Sequence, residues 1–301
     1  MAMTRAAFAN YFIRGLKEVF NTSYKELPSM YESIFNVLSS DKNYEEMLGM
    51  VGFGYLAQTG ELETTTLQDA IEGYKSRFTH LKYALGYQLS QELIDDDMYG
   101  MVREFPSALA RSARATMEKI SSDIFNLGFS GGAALPDGKQ LFATDHVVKR
   151  GGTFSNKAAT SVDIGVSSLR QGVIDLRKVV DDSGLPIAGS QEIILLVAPE
   201  MEFDAAEIIK SVERPDTANR AINALAQQRR WTLKVWDYLT DPDAFFLGYP
   251  KAQHKLICFI RKQISQEADQ DVINDSWKHV VRYRKSLGAA DARGWWGNPG
   301  A

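Results

Sequence analysis

The residues that best fit nucleophilic chemistry by type and spacing are Gly128, Phe129, Ser130, Gly131 and Gly132, which satisfy the G-x-S-x-G pattern of a nucleophile elbow. In such an elbow a strand enters and a helix leaves, and the strained turn between them presents the serine hydroxyl. Here the apolar spacing before Gly128 is helical and the stretch after it is a glycine-rich loop. A short motif outside its structural setting carries little weight, so a serine hydrolase using Ser130 is kept only as an alternative.

Asp145 beside His146 offers a carboxylate and an imidazole, but adjacent residues on an extended segment point to opposite faces, which favours a structural or surface histidine. His80, His146, His254 and His279 lack zinc-ligand spacing, and Cys258 has no second cysteine to join it. Asp95, Asp96 and Asp97 have the charge to hold a hard cation such as calcium, yet consecutive carboxylates ahead of a helical pattern more often cap it. No glycine-rich loop followed by Lys and Ser or Thr is present to cradle a phosphate. The expectation is a chain with no catalytic, cofactor-binding or metal-binding residue, and not an enzyme.

The elements that would position any such residue belong to a globular protein. The 301 residues are 45% hydrophobic, enough for about two domains at ~100 to 200 residues each. Lys plus Arg total 34 against 38 Asp plus Glu, and the net charge of -4 supplies no field to draw in nucleic acid non-specifically. Cys258, inside the apolar run Leu256 to Ile260, reads as a small buried hydrophobe. No apolar stretch approaches the ~20 residues of a membrane span and no signal-peptide pattern opens the chain, so the expectation is a cytosolic chain with no membrane partner.

Residues 1–50 scatter apolar anchors among polar residues and read as an arm. Phe8, Phe12, Leu16 and Phe20 recur at i, i+4 on a helix expected from Arg5 to Phe20, with Pro28 ending any longer one. That stripe needs a surface to cover it, either its own body or another chain. Tyr74, Ser76, Phe78 and His80 alternate on one parity, and Leu81, Tyr83, Leu85, Tyr87 and Leu89 on the other, so a bulge or turn is needed near Thr79. The expected result is a long, partly exposed hairpin over 51–92, a hazard unless a neighbour covers it.

A long helix follows, expected from Asp95–Asp97 to Leu127 with Gly128 as its stop and spanning roughly 40 to 45 Å, with Pro106 kinking it unless it opens a second helix. Its stripe of Leu109, Ala113, Met117, Ile120 and Ile124 is explained by core packing. A loop with a short strand at Gln140 to Ala143 leads into an α/β unit. That unit has helices around Leu169–Val180, Pro199–Ser211 and Ala221–Leu225, and strands at Ile193–Val197, Thr232–Trp236 and Leu256–Ile260. His279 to Tyr283 alternates like a strand, and Trp295 and Trp296 suggest a pinned end.

Several runs, in this order, carry a resemblance. Tyr87, Leu89, Ser90, Glu92 and Leu93 lead into Asp95, Asp96, Asp97, Tyr99 and Gly100, then Ala110 to Ala113. Asn126, Gly128, Phe129, Asp137, Gly138, Leu141, Phe142 and His146 follow, then Leu195, Leu196, Val197 and Pro199, and finally Tyr238 to Pro242 with Ala244 to Leu247. Over almost all of the chain beyond residue 50, this resembles the major capsid proteins of tailed bacteriophages, specifically the Mu-like major head subunits.

The resemblance implies an α+β fold of the Hong Kong ninety-seven type. Its parts would be an N-terminal arm (1–50), an extended hairpin loop (51–92), a peripheral domain with a spine helix (93–164), an axial α/β domain (165–261) and a return to the peripheral domain (262–301). It implies a subunit that self-assembles through hexamers and pentamers into an icosahedral shell around double-stranded DNA, in a virion built in the bacterial host cytoplasm. A separate scaffold protein, a portal and a maturation protease are the implied partners, the scaffold because no long charged helical segment precedes the arm. Some relatives crosslink a hairpin lysine to a neighbour's asparagine, and Lys75 or Lys82 would be such a lysine, without an evident acceptor context. An encapsulin-type nanocompartment shell shares the fold and is the first alternative.

Overall fold

The structure is a computed structural model. It describes residues 5–61, 64–96, 100–132, 135–187, 189, 191–213, 222–271 and 273–301, with side chains from Ile13 onward. In chain order the elements are α1 (Arg5–Glu26), α2 (Tyr31–Ile34), β1 (Asn36–Ser39), β2 (Tyr44–Val51), β3 (Ile71–Thr79), β4 (Leu81–Ser90), α3 (Gln91–Asp95) and α4 (Glu104–Asn126). Then come β5 (His146–Val147), β6 (Thr153–Phe154), α5 (Val166–Lys178), β7 (Glu192–Val197), α6 (Glu202–Lys210), α7 (Ala224–Gln228) and β8 (Arg230–Val235). The chain closes with β9 (Phe245–Gly248), β10 (Leu256–Asp271), β11 (Ser276–Ala289) and β12 (Trp295–Asn298).

Two four-stranded sheets organise the molecule, in the orders β1-β10-β11-β4 and β12-β9-β7-β8. In the second, β7 runs parallel to β8 and antiparallel to β9. The run Ile193 to Val197 has no polar face because β7 is buried on both sides, as an interior strand between two layers must be. Ile194 and Leu196 face the core shared with α4, while Ile193, Leu195 and Val197 face α5 and α6. The adjacent tryptophans of β12 divide the same way, Trp295 into the first core and Trp296 into the second, which pins the chain end as expected.

At the centre of the shared core, Phe125 of α4 meets Trp295 at 5.0 Å and Phe246 at 5.1 Å between ring centroids, both edge-to-face.

Several expectations are corrected. The long helix does not begin at Asp95–Asp97. Asp95 ends the short α3, whose true cap is Ser90, accepting from Leu93 N at 3.2 Å, and Asp97 lies outside the described residues. Gly100, at φ 70°, then redirects the chain into a 3-10 turn, and α4 starts at Glu104. Pro106 thus falls in the first turn, where its missing N–H has no helical partner to lose, and the spine is ~35 Å long.

The strands on either side of Thr79 do not pair with each other. β3 pairs with β2, and β4 pairs with β11. The parity switch therefore marks a change of partner at His80, and the projecting hairpin is built from residues 44–79 rather than 51–92. Gln140–Ala143 is no strand: Leu141 and Phe142 are both fully buried, and Asn156 replaces a strand partner by accepting from Ala143 N and donating to Leu141 O. Leu256–Ile260 lies in β10, paired to β1 and β11 in the first sheet, while Phe245–Gly248 and β12 complete the second. Of the closing segment, β11 stays in the first sheet and only β12 crosses to the second.

The arm is also partly corrected. α1 runs to Glu26, and its stripe covers its own body at the two described positions. Leu16 packs with Leu89 and Val102, and Phe20 with Leu109, Ala110, Ala113 and Val281. Phe8 and Phe12 lie outside the described side chains.

Candidate assembly interface

The hairpin is the part of the described molecule whose apolar side chains have least cover. β2 and β3 pair antiparallel from Tyr44↔Thr79 to Val51↔Ile71, and the chain beyond them carries Phe53, Tyr55, Leu56 and Leu67. Leu56 is 99% exposed and Leu67 91%, with Met50, Tyr55 and Phe53 exposed beside them. Apolar side chains exposed in this number at the end of a two-stranded ribbon mark a contact surface for another molecule. Lys75 is engaged within the ribbon, 2.6 Å from Glu46, and Lys82 is exposed on β4, outside it.

The body that carries the hairpin is tied together by polar residues that sequence reading missed. Glu118 on α4 is 4% exposed and accepts from Met30 N at 3.0 Å, Tyr31 N at 3.2 Å and Trp236 Nε1 at 3.0 Å. It joins the start of α2, the spine helix and the end of β8 at one point. Burial pushes its carboxyl above the usual range, offset in part by those three donors and by Arg114. Lys285 of β11, 2% exposed, donates to Met117 O at 3.1 Å, and burial lowers its pKa to about 8.

The sequence-singled residues stay apart in role. Ser130 is exposed in the turn after α4, where no strand enters. His146 is fully buried, with Nδ1 2.7 Å from Asp137 Oδ2 and Nε2 3.0 Å from Asn156 Oδ1, while Asp145 pairs with Lys139 instead. His80 lies between Ser40 and Ser286, at 3.1 and 3.0 Å, and His279 lies 3.0 Å from the Tyr87 hydroxyl. His254 accepts from Leu256 N, and burial lowers its pKa to about 4. Burial raises the Cys258 thiol to about 11, as for an inert core cysteine. Among the described residues no group of His, Cys, Asp and Glu side chains is placed to hold a metal ion, and no helix is long and apolar enough to cross a membrane.

An arm on a spine helix, a projecting ribbon and a helix-flanked mixed sheet together define an α+β fold of the tailed-phage major capsid type. Solved structures agree with it over nearly the whole chain. The virus-like particle from Pyrococcus furiosus aligns with a TM-score of 0.55 at 7% identity, covering 95% of this chain and 98% of that one. The capsid of cyanophage P-SCSP1u gives 0.55 at 10% identity, covering 91% and 88%. The capsid of an empty GTA particle gives 0.52 at 12% identity, covering 90% of each.

The family described as phage capsid protein matches residues 73–298, and the chain belongs to that family. It is a structural subunit of a phage capsid. No curated protein matches the chain.

Proposed function

We propose that this chain is a major head subunit of the Mu-like kind, closing into hexamers and pentamers that form an icosahedral shell around double-stranded DNA. The observation that carries the reading is the hairpin: a ribbon with Leu56 and Leu67 almost fully exposed requires a covering surface, and a second copy of the chain supplies the same surface at every position in a closed lattice. Each contact is modest, but repetition around a ring holds every subunit through several neighbours. The segment before Tyr44 acts as the arm, the 44–79 hairpin as the extended loop, the α4 region as the peripheral domain and the β7–β9 region with α5 and α6 as the axial domain. The net charge of -4 suits a wall that does not adhere to packaged DNA.

Assembly takes place in the host cytoplasm with a separate scaffold protein, a portal and a maturation protease, a reading that rests on the family resemblance. The subunit performs no catalysis, and Ser130 has no role beyond its turn. Negative-stain microscopy of the expressed chain with and without its scaffold tests the proposal. Closed shells of uniform size that depend on scaffold are expected. Shells that form alone and co-purify with an enzyme on the inner wall point instead to a storage container, and labelling of Ser130 by an active-site serine probe points to a hydrolase.

A further inference from the structure

We propose that the hairpin carries its own hinge, at Gly49 and Gly73, and that the β5–β6 ribbon is a latch holding it in one orientation. The hinge is legible in the pairing of β2 with β3. Register shifts between Leu48 and Met50, where Leu48 opposes Lys75 but Met50 opposes Glu72. Gly49 and Gly73 face each other inside that irregularity, so closely that a Cβ on Gly73 would lie 2.7 Å from the Gly49 carbonyl carbon. Two glycines at a bulge remove both side-chain packing and regular ladder bonds from one level of the ribbon, so bending concentrates there.

The latch spans this level. On the body side, Tyr74 donates its hydroxyl to Val147 O at 3.3 Å, and the Lys149 ammonium sits 4.1 Å from the centre of the Tyr74 ring. On the far side, Arg150 Nη2 donates to both Gly52 O and Asp69 O, each at 3.3 Å, bridging the two chains where they leave the ribbon. The ribbon that bears these groups is itself firmly held, because His146 at its base is buried between Asp137 and Asn156. Lys149 N also donates to Asp182 Oδ1 at 3.4 Å.

A fixed base with exposed, individually weak grips is the construction of a releasable strap: the grips set the orientation while closed and are cheap to break. The device depends only on contacts within one chain and not on the proposed docking between subunits.

Spin-label distance measurements on the full-length unassembled chain test it. The native Cys258 is buried and leaves engineered cysteines free to be labelled. One pair, Gln58→Cys with Ser167→Cys, reports the far side of the hinge; a second, Thr79→Cys with Ser167→Cys, reports the near side. All three positions are exposed. With the latch intact, both pairs should give one narrow distance distribution. In the Arg150→Ala, Lys149→Ala background the Gln58 distribution should broaden roughly twofold while the Thr79 distribution keeps its width. A Gln58 distribution that does not change, or is already broad in the parent, overturns the latch; equal broadening at Thr79 overturns the hinge.

Discussion

The carboxylate of Glu118 and the indole of Trp236 lie 118 positions apart in sequence and 3.0 Å apart in space, and their hydrogen bond fastens the spine helix to the end of β8. The same carboxylate holds Met30 N and Tyr31 N at the start of α2. Glu118→Ala leaves three donors, two of them buried, without an acceptor and should cost roughly 2–5 kcal/mol of unfolding free energy, whereas Glu118→Gln keeps one acceptor oxygen and should cost about 1–2 kcal/mol. Urea unfolding of the two variants checks the order; equal, negligible effects would remove Glu118 from its bridging role.

Lys285 predicts a pH dependence of known sign. Its folded pKa of about 8 lies below the unfolded value of 10.5, so between those values the unfolded chain binds more protons than the folded one. Stability contributed at this residue is therefore lowest below pH 8 and rises as pH climbs through that window. Lys285→Met should flatten the rise in a comparison of unfolding midpoints across the window, and parallel curves for parent and variant would contradict it.

Gly172 lies within α5, where alanine is the better helix former by ~1 kcal/mol. A Cβ there, however, would lie 2.6 Å from Leu247 Cδ1 and 2.7 Å from Trp296 Cζ3. Overpacking of this kind costs about 1–3 kcal/mol, so packing outweighs propensity and Gly172→Ala should lower stability by roughly 1–2 kcal/mol. A calorimetric melting temperature that rises instead would mean the core yields there.

The exposed ribbon residues should separate folding from assembly. Leu56→Glu and Leu67→Glu touch little in the single chain and should shift its stability by less than about 0.5 kcal/mol. Both should sharply reduce the yield of closed particles, measured by sedimentation. Normal particle yield would mean that these side chains remain solvated in the shell.

Much of this was legible in residue order, and the failures have a common physical origin. Periodicity located the α4 stripe, the buried β7 and the β11 alternation, because local side-chain direction follows from the backbone. It also registered the break at Thr79. What it lacked was the partner: β4 pairs with a strand almost two hundred residues away, and nothing in Leu81–Leu89 names β11. The apolar run Leu256–Ile260 similarly fits either sheet until β1 and β11 are in place. Glu118 was invisible for the same reason, since a lone glutamate in a helix ordinarily faces water and only Trp236 and α2 make it a buried acceptor. A partly exposed hairpin was expected from the two alternating runs around Thr79, but its boundaries were not legible, because only the first of those runs belongs to it.

Hydrogen exchange of residues 44–79, compared between the unassembled chain and assembled particles, tests most directly whether a neighbouring copy covers the ribbon. The account predicts fast exchange around Phe53–Leu56 and Leu67 in the free chain and marked protection in particles. A purified chain that remains a single subunit at high concentration, with these amides already protected, would contradict it.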